Sequence, residues 1–395
     1  MFESIERLPD DPILGLSAAC KLDPNPDKVD VTIGVYMDES GLTPVFEAVQ
    51  RAQQMITEEE VSKVYMPPVG DADFNRGMQD LLLGAANPAL VDSRVACIQT
   101  PGGCGALRLG AELIKAANPA ARVWLSDPTW TNHIPLLGSV GLEIKSYRYY
   151  GAASHAVDFD GMMADLAQVQ AGDVVLLHGC CHNPCGADLS QQQWLAVAEL
   201  AQRNGFTPFV DFAYQGLGDG LEEDAFGVRQ LVHSVPEVIV AASCSKNLGL
   251  YRERTGAVVF IAADGERAEA IQSQATVAAR RIYSMPPAHG ALLAGRVLTD
   301  AALGQLWREE LLQMCNRIND LRTLLVDRLS AASGRDFGFI QQQRGMFSFL
   351  GISPGQVEEL RQKHSVYMLG SSRINVAGIN QHNVDYFAEA LARVL

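Results

Sequence analysis

The chain reads as an α/β protein: a large domain with a mostly parallel sheet, plus a smaller α+β domain. Three observations carry this. Between about residues 95 and 261, short apolar runs alternate with helical patterns, which implies a mainly parallel sheet covered by helices. After about residue 295 the alternation gives way to one long helix and a few short strands. Finally, 395 residues, 48% hydrophobic and 19% charged, suffice for one large core and a second domain.

Residues 1–15 are expected to form an extended arm, because Pro9-Asp10-Asp11-Pro12 disfavours helix. Ile13-Leu14-Gly15-Leu16 makes its tip apolar, suited to packing on a partner subunit or on its own domain. Residues 16–42 are assigned to the small domain, with Val29–Val35 alternating as a short strand. Pro44 suits the first turn of a helix running to about Ile56, and a second helix covers 71–84. The large domain spans 43–298. Its strands are expected at 95–98, 123–125, 142–147, 174–177, 209–211, 238–242 and 258–261. The intervening helices include 104–117, 131–137, 160–169 and 191–203. The last opens with Ser190 and Gln193 as a capping box and closes at Asn204-Gly205. The small domain resumes at 299–395 with a helix over 299–331, strands at 347–349 and 373–376, and a closing helix at 382–394.

The 31 basic and 46 acidic residues leave a net charge of −15, which argues against nucleic acid or an anionic membrane surface as a partner. The N-terminus lacks the basic flank and long apolar run of a signal peptide. No stretch approaches the ~18 apolar residues of a membrane span. Eight cysteines, several beside expected strands, fit a reduced, cytoplasmic protein. Cys180, Cys181 and Cys185, with His178 just before them and His182 among them, lack a paired C-x-x-C, so no metal is expected.

Five stretches at strand ends carry chemistry. In Ser243-Cys244-Ser245-Lys246-Asn247, small hydroxylated residues surround one lysine, with Arg252 and Arg254 beyond. A lysine in a dry, cationic setting loses its proton readily and becomes a nucleophile, while hydroxyls and an arginine suit a phosphate. Together they suggest pyridoxal 5'-phosphate (PLP). Pro101-Gly102-Gly103-Cys104-Gly105 follows a strand and opens a helix, where free N–H groups bind phosphate. As a dinucleotide fingerprint it fails, since Arg108 stands at the third glycine. Trp130 suits stacking on a flat ring, and His133, one turn on, reads as structural from the residues alone. Asn183 can donate to a ring oxygen. Asp211 can keep a pyridine nitrogen protonated, and Tyr214 can reach a phenolic oxygen.

These motifs resemble the class I aminotransferases, in the aspartate and aromatic amino-acid branch. The resemblance rests on Gly-Cys-Gly-Ala-Leu-Arg (103–108), Asp-Pro-Thr-Trp-Thr-Asn-His (127–133), His-Asn-Pro-Cys-Gly (182–186), Asp-Phe-Ala-Tyr-Gln-Gly (211–216), the run 245–254 and Ser-Arg-Ile-Asn (372–375). It implies a PLP-dependent fold-type I homodimer with active sites at the subunit interface. Lys246 is then the Schiff-base lysine and proton carrier, Asp211 pairs with the pyridine nitrogen and His133 supports it. Asn183 and Tyr214 contact the ring oxygen and Trp130 stacks on the ring. Gly103, Cys104, Ser243, Ser245 and Arg254 hold the phosphate, with Tyr65 from the other subunit. Arg373 grips the substrate α-carboxylate near Gly34, and Arg280 of the other chain reads a side-chain carboxylate, although Arg281 is adjacent.

The chain departs from the resemblance at Gly102 (usually serine), Cys104 (threonine) and Cys185 (threonine). Met37, Val64 and Met285 replace polar residues around the substrate mouth. The expected activity is ping-pong transamination between an aromatic amino acid or aspartate and 2-oxoglutarate. A strict aspartate aminotransferase, or a PLP-dependent lyase or decarboxylase, is the alternative.

Overall fold

The structure, a computed structural model, describes residues 1–8 and 12–395, and the side chains of residues 1–8 and 15–395. It divides into two units: Met1–Thr43 with Pro184–Gly186 and Ile318–Leu395, and Pro44–Asn183 with Ala187–Arg317.

The larger unit is built on seven strands: β1 (Val95–Pro101), β2 (Arg122–Asp127), β3 (Glu143–Arg148), β4 (Val174–His178), β5 (Thr207–Phe212), β6 (Val238–Ser243) and β7 (Thr255–Ile261). Their order across the sheet is β1-β7-β6-β5-β4-β2-β3. Only β7 runs antiparallel to its neighbours, and the other pairs are parallel. β4, β6 and β7 are buried along their whole length, which explains why they read as unbroken apolar runs. The helix Gly102–Ala117 covers one face, placing Leu107, Leu109 and Ile114 in a core with Ile98, Val123, Leu176 and Phe209. Gly110 admits the Phe209 ring, since a Cβ there would sit 2.6 Å from its Cζ. Burying a side chain such as Phe209 contributes about 1.5–3 kcal/mol.

In the smaller unit, Val29–Asp30 pairs in parallel with Val366–Tyr367, and Phe347–Phe349 pairs antiparallel with Arg373–Asn375. The core holds Val31, Leu325, Leu329, Ile340, Leu360, Ile374 and Phe387.

Several expectations need correction. Helix begins at Pro12 and runs to Leu22, so residues 12–15 are not extended; proline is tolerated where a first-turn N–H has no partner anyway. Residues 9–11 and the side chains of Ile13 and Leu14 lie outside the described residues, and with them the expected apolar tip. The strand at 29–35 shrinks to Val29–Asp30. The helix expected from Pro44 starts at Glu47, where the carboxylate of Glu310 accepts from the N–H groups of Glu47 and Ala48. The small unit resumes at Ile318, inside the long helix Ala301–Ser333, instead of at 299. The first half of that helix packs in the larger unit: Trp307 Nε1 donates to the Asn247 carbonyl at 2.6 Å, and the Cys315 thiol to the Gly218 carbonyl at 3.3 Å. The capping box of the helix Gln191–Asn204 and its left-handed Gly205 end match the sequence reading.

Candidate active site

Strand register assembles the site. In the parallel β4–β5 pair, His178 lies opposite Asp211, and in β5–β6 Asp211 lies opposite Ala241, two residues before Ser243. The antiparallel β7 places Gly256 opposite Ser243 on one side and Thr100 on the other. The carboxyl ends of β1, β5 and β6 thus converge, as expected for a ligand site in such a sheet.

Beyond β6 the chain turns through Cys244 and Ser245 to Lys246. The turn is fixed by the Cys244 N–H on Thr255 O at 3.0 Å and by the Trp307 indole on Asn247 O. Lys246 is half-buried, and its Nζ lies 4.6 Å from the centre of the Tyr214 ring. Burial pushes the ammonium below its ordinary range; Asp211 and Cys104 oppose this, and Arg254 adds to it. The amine is therefore easier to deprotonate than a surface lysine.

Asp211 accepts from His133 Nε2 at 3.0 Å. Burial raises its carboxyl, but the hydrogen bond and charge of His133, with His178 and Lys246, outweigh burial and hold it below the usual carboxylate range. Thr129 Oγ1 is 2.8 Å from His133 Nδ1 and 3.2 Å from His178 Nε2. Thr129 Oγ1 thus bridges His133 and His178, and His133 Nε2 holds Asp211. His178 then stacks on His182 with centroids 4.0 Å apart, and His182 meets Ser126 Oγ at 3.1 Å. Burial keeps both of these histidines neutral. Trp130 meets His133 edge-on at 5.2 Å.

The start of the helix Gly102–Ala117 has no side-chain cap, so its first N–H groups are available to an anion. Gly102 takes φ +68°, and a Cβ on it would lie 2.7 Å from Nη2 of Arg254. A Cβ on Gly103 would come 3.3 Å from Ser243 Cβ, and Ser243 Oγ donates to Ser245 Oγ at 3.1 Å. Backbone amides, two hydroxyls and a guanidinium thus form one cup, with Cys104 beside it, 3.9 Å from Asn132 Nδ2. Among the described residues, the buried side-chain oxygen of Asn183 has no hydrogen-bond partner. A lowered-pKa lysine, an ionised carboxylate and an anion cup fit PLP, which needs each of these groups.

Lys246, Asp211, Tyr214, His133, Trp130, Gly103, Cys104, Ser243, Ser245 and Arg254 therefore all belong to the larger unit's strand ends. His133 holds Asp211, the support that the resemblance implies for it. Arg373 and Gly34 lie in the smaller unit, where both meet Phe347: the Arg373 guanidinium is 4.5 Å from the ring centre, and a Cβ on Gly34 would touch the ring edge. Tyr65 is 86% exposed, and among the described residues no hydrogen bond or ring contact joins it or Arg280 to the Lys246 cluster. Arg281 pairs with Glu112 at 3.1 Å, whereas Arg280 is exposed without an ion pair among the described residues. Met285, one of the apolar departures, accepts the Met66 N–H on its sulfur at 3.3 Å.

Sequence reading missed Thr129 and His178; the available signal was a polar residue ending the otherwise apolar β4. The sulfurs of Cys180 and Cys181 and a carboxylate oxygen of Asp224 lie within 4.8 Å of one another. That carboxylate already accepts from the N–H groups of Gly216, Gly218 and Asp219. Among the described residues, no helix is long and apolar enough to cross a membrane.

The family model described as Aminotransferase class I and II matches residues 26–391. The chain is 46% identical over 394 residues to an aromatic-amino-acid aminotransferase of Pseudomonas aeruginosa, covering 100% of this chain and 98% of the relative. It is also 46% identical over 396 residues to an aspartate aminotransferase of Salmonella typhi, covering 100% of both. It superposes with a TM-score of 0.98, at 41% identity, on the crystal structure of an aromatic-amino-acid aminotransferase from Burkholderia pseudomallei covalently bound to pyridoxal phosphate, covering 100% of this chain and 99% of that one.

Proposed function

The chain belongs to the class I and II aminotransferases, and from that premise we propose that it moves amino groups between aromatic amino acids or aspartate and 2-oxoglutarate in two half-reactions. It is a PLP-dependent transaminase. When bound, PLP supplies an aldehyde that takes up amines and a ring that withdraws electrons from the substrate α-carbon.

In this reading Lys246 Nζ would hold the cofactor through that aldehyde and would carry the proton at the substrate α-carbon. Asp211, held by His133, would keep the ring nitrogen protonated. Asn183 and Tyr214 would hold the ring oxygen, and Trp130 would stack on the ring and exclude water. Gly103, Cys104, Ser243, Ser245 and Arg254 bind the phosphate. Arg373 grips the α-carboxylate in a two-pronged bond, beside Gly34. The observation that carries the reading is the pairing of a lysine of lowered pKa with an ionised Asp211 beside one anion cup.

The enzyme acts as a homodimer whose partner supplies Tyr65 to the phosphate and Arg280 to a side-chain carboxylate. The exposure of Tyr65 and the lack of an ion pair at Arg280 among the described residues support this assignment, and the Arg281–Glu112 pair favours Arg280 over its neighbour. A cytoplasmic location is the reading that the cysteine usage supports.

The test is a half-reaction panel with aspartate, glutamate, tyrosine, phenylalanine and leucine, following the cofactor absorbance and the keto acid released. Conversion with both phenylalanine and aspartate, without CO2, supports the reading. Aspartate alone makes the enzyme a strict aspartate aminotransferase, and CO2 release makes it a decarboxylase.

A further inference from the structure

Arg322 is only 1% exposed, on the half of the helix Ala301–Ser333 that belongs to the smaller unit. Its guanidinium donates to four main-chain carbonyls: Nη1 to Ile340 at 2.9 Å, and Nη2 to Arg344 at 3.1 Å, Gly345 at 2.7 Å and Phe347 at 2.8 Å. A planar fork with fixed N–H directions serves several carbonyls at once, which a lysine ammonium on its flexible stem does poorly. The four carbonyls run from the short helix Phe339–Gln342, through the bend after it, to the first residue of the strand Phe347–Phe349.

The last of these bonds fixes the Phe347 carbonyl, and Phe347 has three further close neighbours. A Cβ on Gly34 would sit 2.5 Å from its Cζ, and a Cβ on Gly186 would sit 2.3 Å from its carbonyl oxygen. The face of its ring carries the Arg373 guanidinium. Arg373 has a second anchor in the Thr32 carbonyl, which Nη2 reaches at 2.7 Å. The guanidinium thus rests on a ring that lies close against Gly34, and the ring on a backbone that Arg322 holds.

We infer that Arg322 is a positioning residue for carboxylate recognition: it pins the Phe347 carbonyl so that the Phe347 ring aims Arg373 at the substrate α-carboxylate. The inference rests on the role given to Arg373 above. A buried arginine that served stability alone would change melting temperature and leave ligand affinity untouched.

The experiment uses holoenzyme of Arg322→Lys, Arg322→Met, Phe347→Leu and Arg373→Ala, assayed well below their melting temperatures. It measures the Kd of 3-phenylpropanoate (a monocarboxylate without an amine), the bound PLP and its spectrum, and KM and kcat with phenylalanine. Arg322→Lys and Arg322→Met should raise Kd and KM together by about tenfold or more, as misplacement of a positioning group by an ångström does. Bound cofactor, spectrum and saturating rate should change little, and Phe347→Leu should reproduce the effect. An unchanged Kd in folded Arg322 variants, with Kd raised in Arg373→Ala, overturns the inference. An unchanged Kd in Arg373→Ala overturns the role of Arg373 itself. Should neither Arg322 variant fold, an unchanged Kd in Phe347→Leu is enough to overturn the inference, because the ring is the link it requires.

Discussion

His133 donates from Nε2 to Asp211 at 3.0 Å, and Thr129 completes the bond set on the other ring nitrogen. The pair sits at the carboxyl end of β5, where the carboxylate stays ionised against the pull of burial. An anion there can hold a ring nitrogen protonated, and without it the ring withdraws electrons less well. Asp211→Asn keeps the shape and the hydrogen bonding but removes the charge. It should still bind PLP, with the rate of the half-reaction down roughly 100- to 1,000-fold. Stopped-flow absorbance with phenylalanine checks this. A variant that merely melts earlier, with unaltered kinetics, would make Asp211 a scaffold residue.

His182 should be a source of acid instability. Burial, and His133 after it, lowers its imidazole from 6.5 to about 3. Between those values the unfolded chain binds a proton that the folded chain does not, so stability falls as pH drops from 6.5 toward 3. The slope for one such group reaches about 1.4 kcal/mol per pH unit. His178, lowered by the same burial, adds to it. Chemical denaturation across this range should show a shallower pH slope for His182→Phe than for wild type, even if the variant is less stable at neutral pH through loss of the Ser126 contact. Equal slopes would mean that His182 titrates normally.

Gly102, where the class I aminotransferases usually carry serine, takes a φ of +68° and lies against the Arg254 guanidinium. Gly102→Ala should strain the backbone by about 1–2 kcal/mol and turn the guanidinium out of the cup. Losing a charge-assisted phosphate contact worth about 1.5–3 kcal/mol should raise the Kd for PLP about tenfold or more. Titration of apoenzyme with PLP and with inorganic phosphate measures both effects, and both affinities should fall together.

Much of this was legible in the chain because the physics is local. Buried parallel strands read as apolar runs, and their ends carried Lys246, Asp211, Asn183 and the Gly102-Gly103 turn. Thr129 and His178 were not legible as partners of Asp211, because their contact depends on β4–β5 register and on the turn after β2. The assignment of Pro184–Gly186 to the smaller unit was likewise hidden. It follows from the Arg344 N–H on the Gly186 carbonyl at 2.8 Å, across more than 150 residues of sequence. The helix Pro12–Leu22 was misjudged because proline was weighed as a breaker and not as a helix opener.

In the proposed function, substrate choice would turn on Arg280 against Met37, Val64 and Met285. An arginine without an ion pair among the described residues can take a buried carboxylate, and the apolar trio would favour a ring. Arg280→Ala should cost roughly 2–5 kcal/mol in transition-state binding with aspartate and little with phenylalanine. Comparing kcat/KM for the two substrates in both proteins decides it. Equal losses would show that Arg280 only supports the fold.

The central claim is that Lys246 performs the chemistry at this site, and Lys246→Ala tests it most directly. Purified Lys246→Ala should bind PLP through Asp211 and the phosphate cup, visible as bound cofactor absorbance. Turnover of phenylalanine with 2-oxoglutarate should fall by several orders of magnitude, since both the nucleophilic amine and the proton carrier are gone. Bound PLP with near-wild-type turnover would contradict the account.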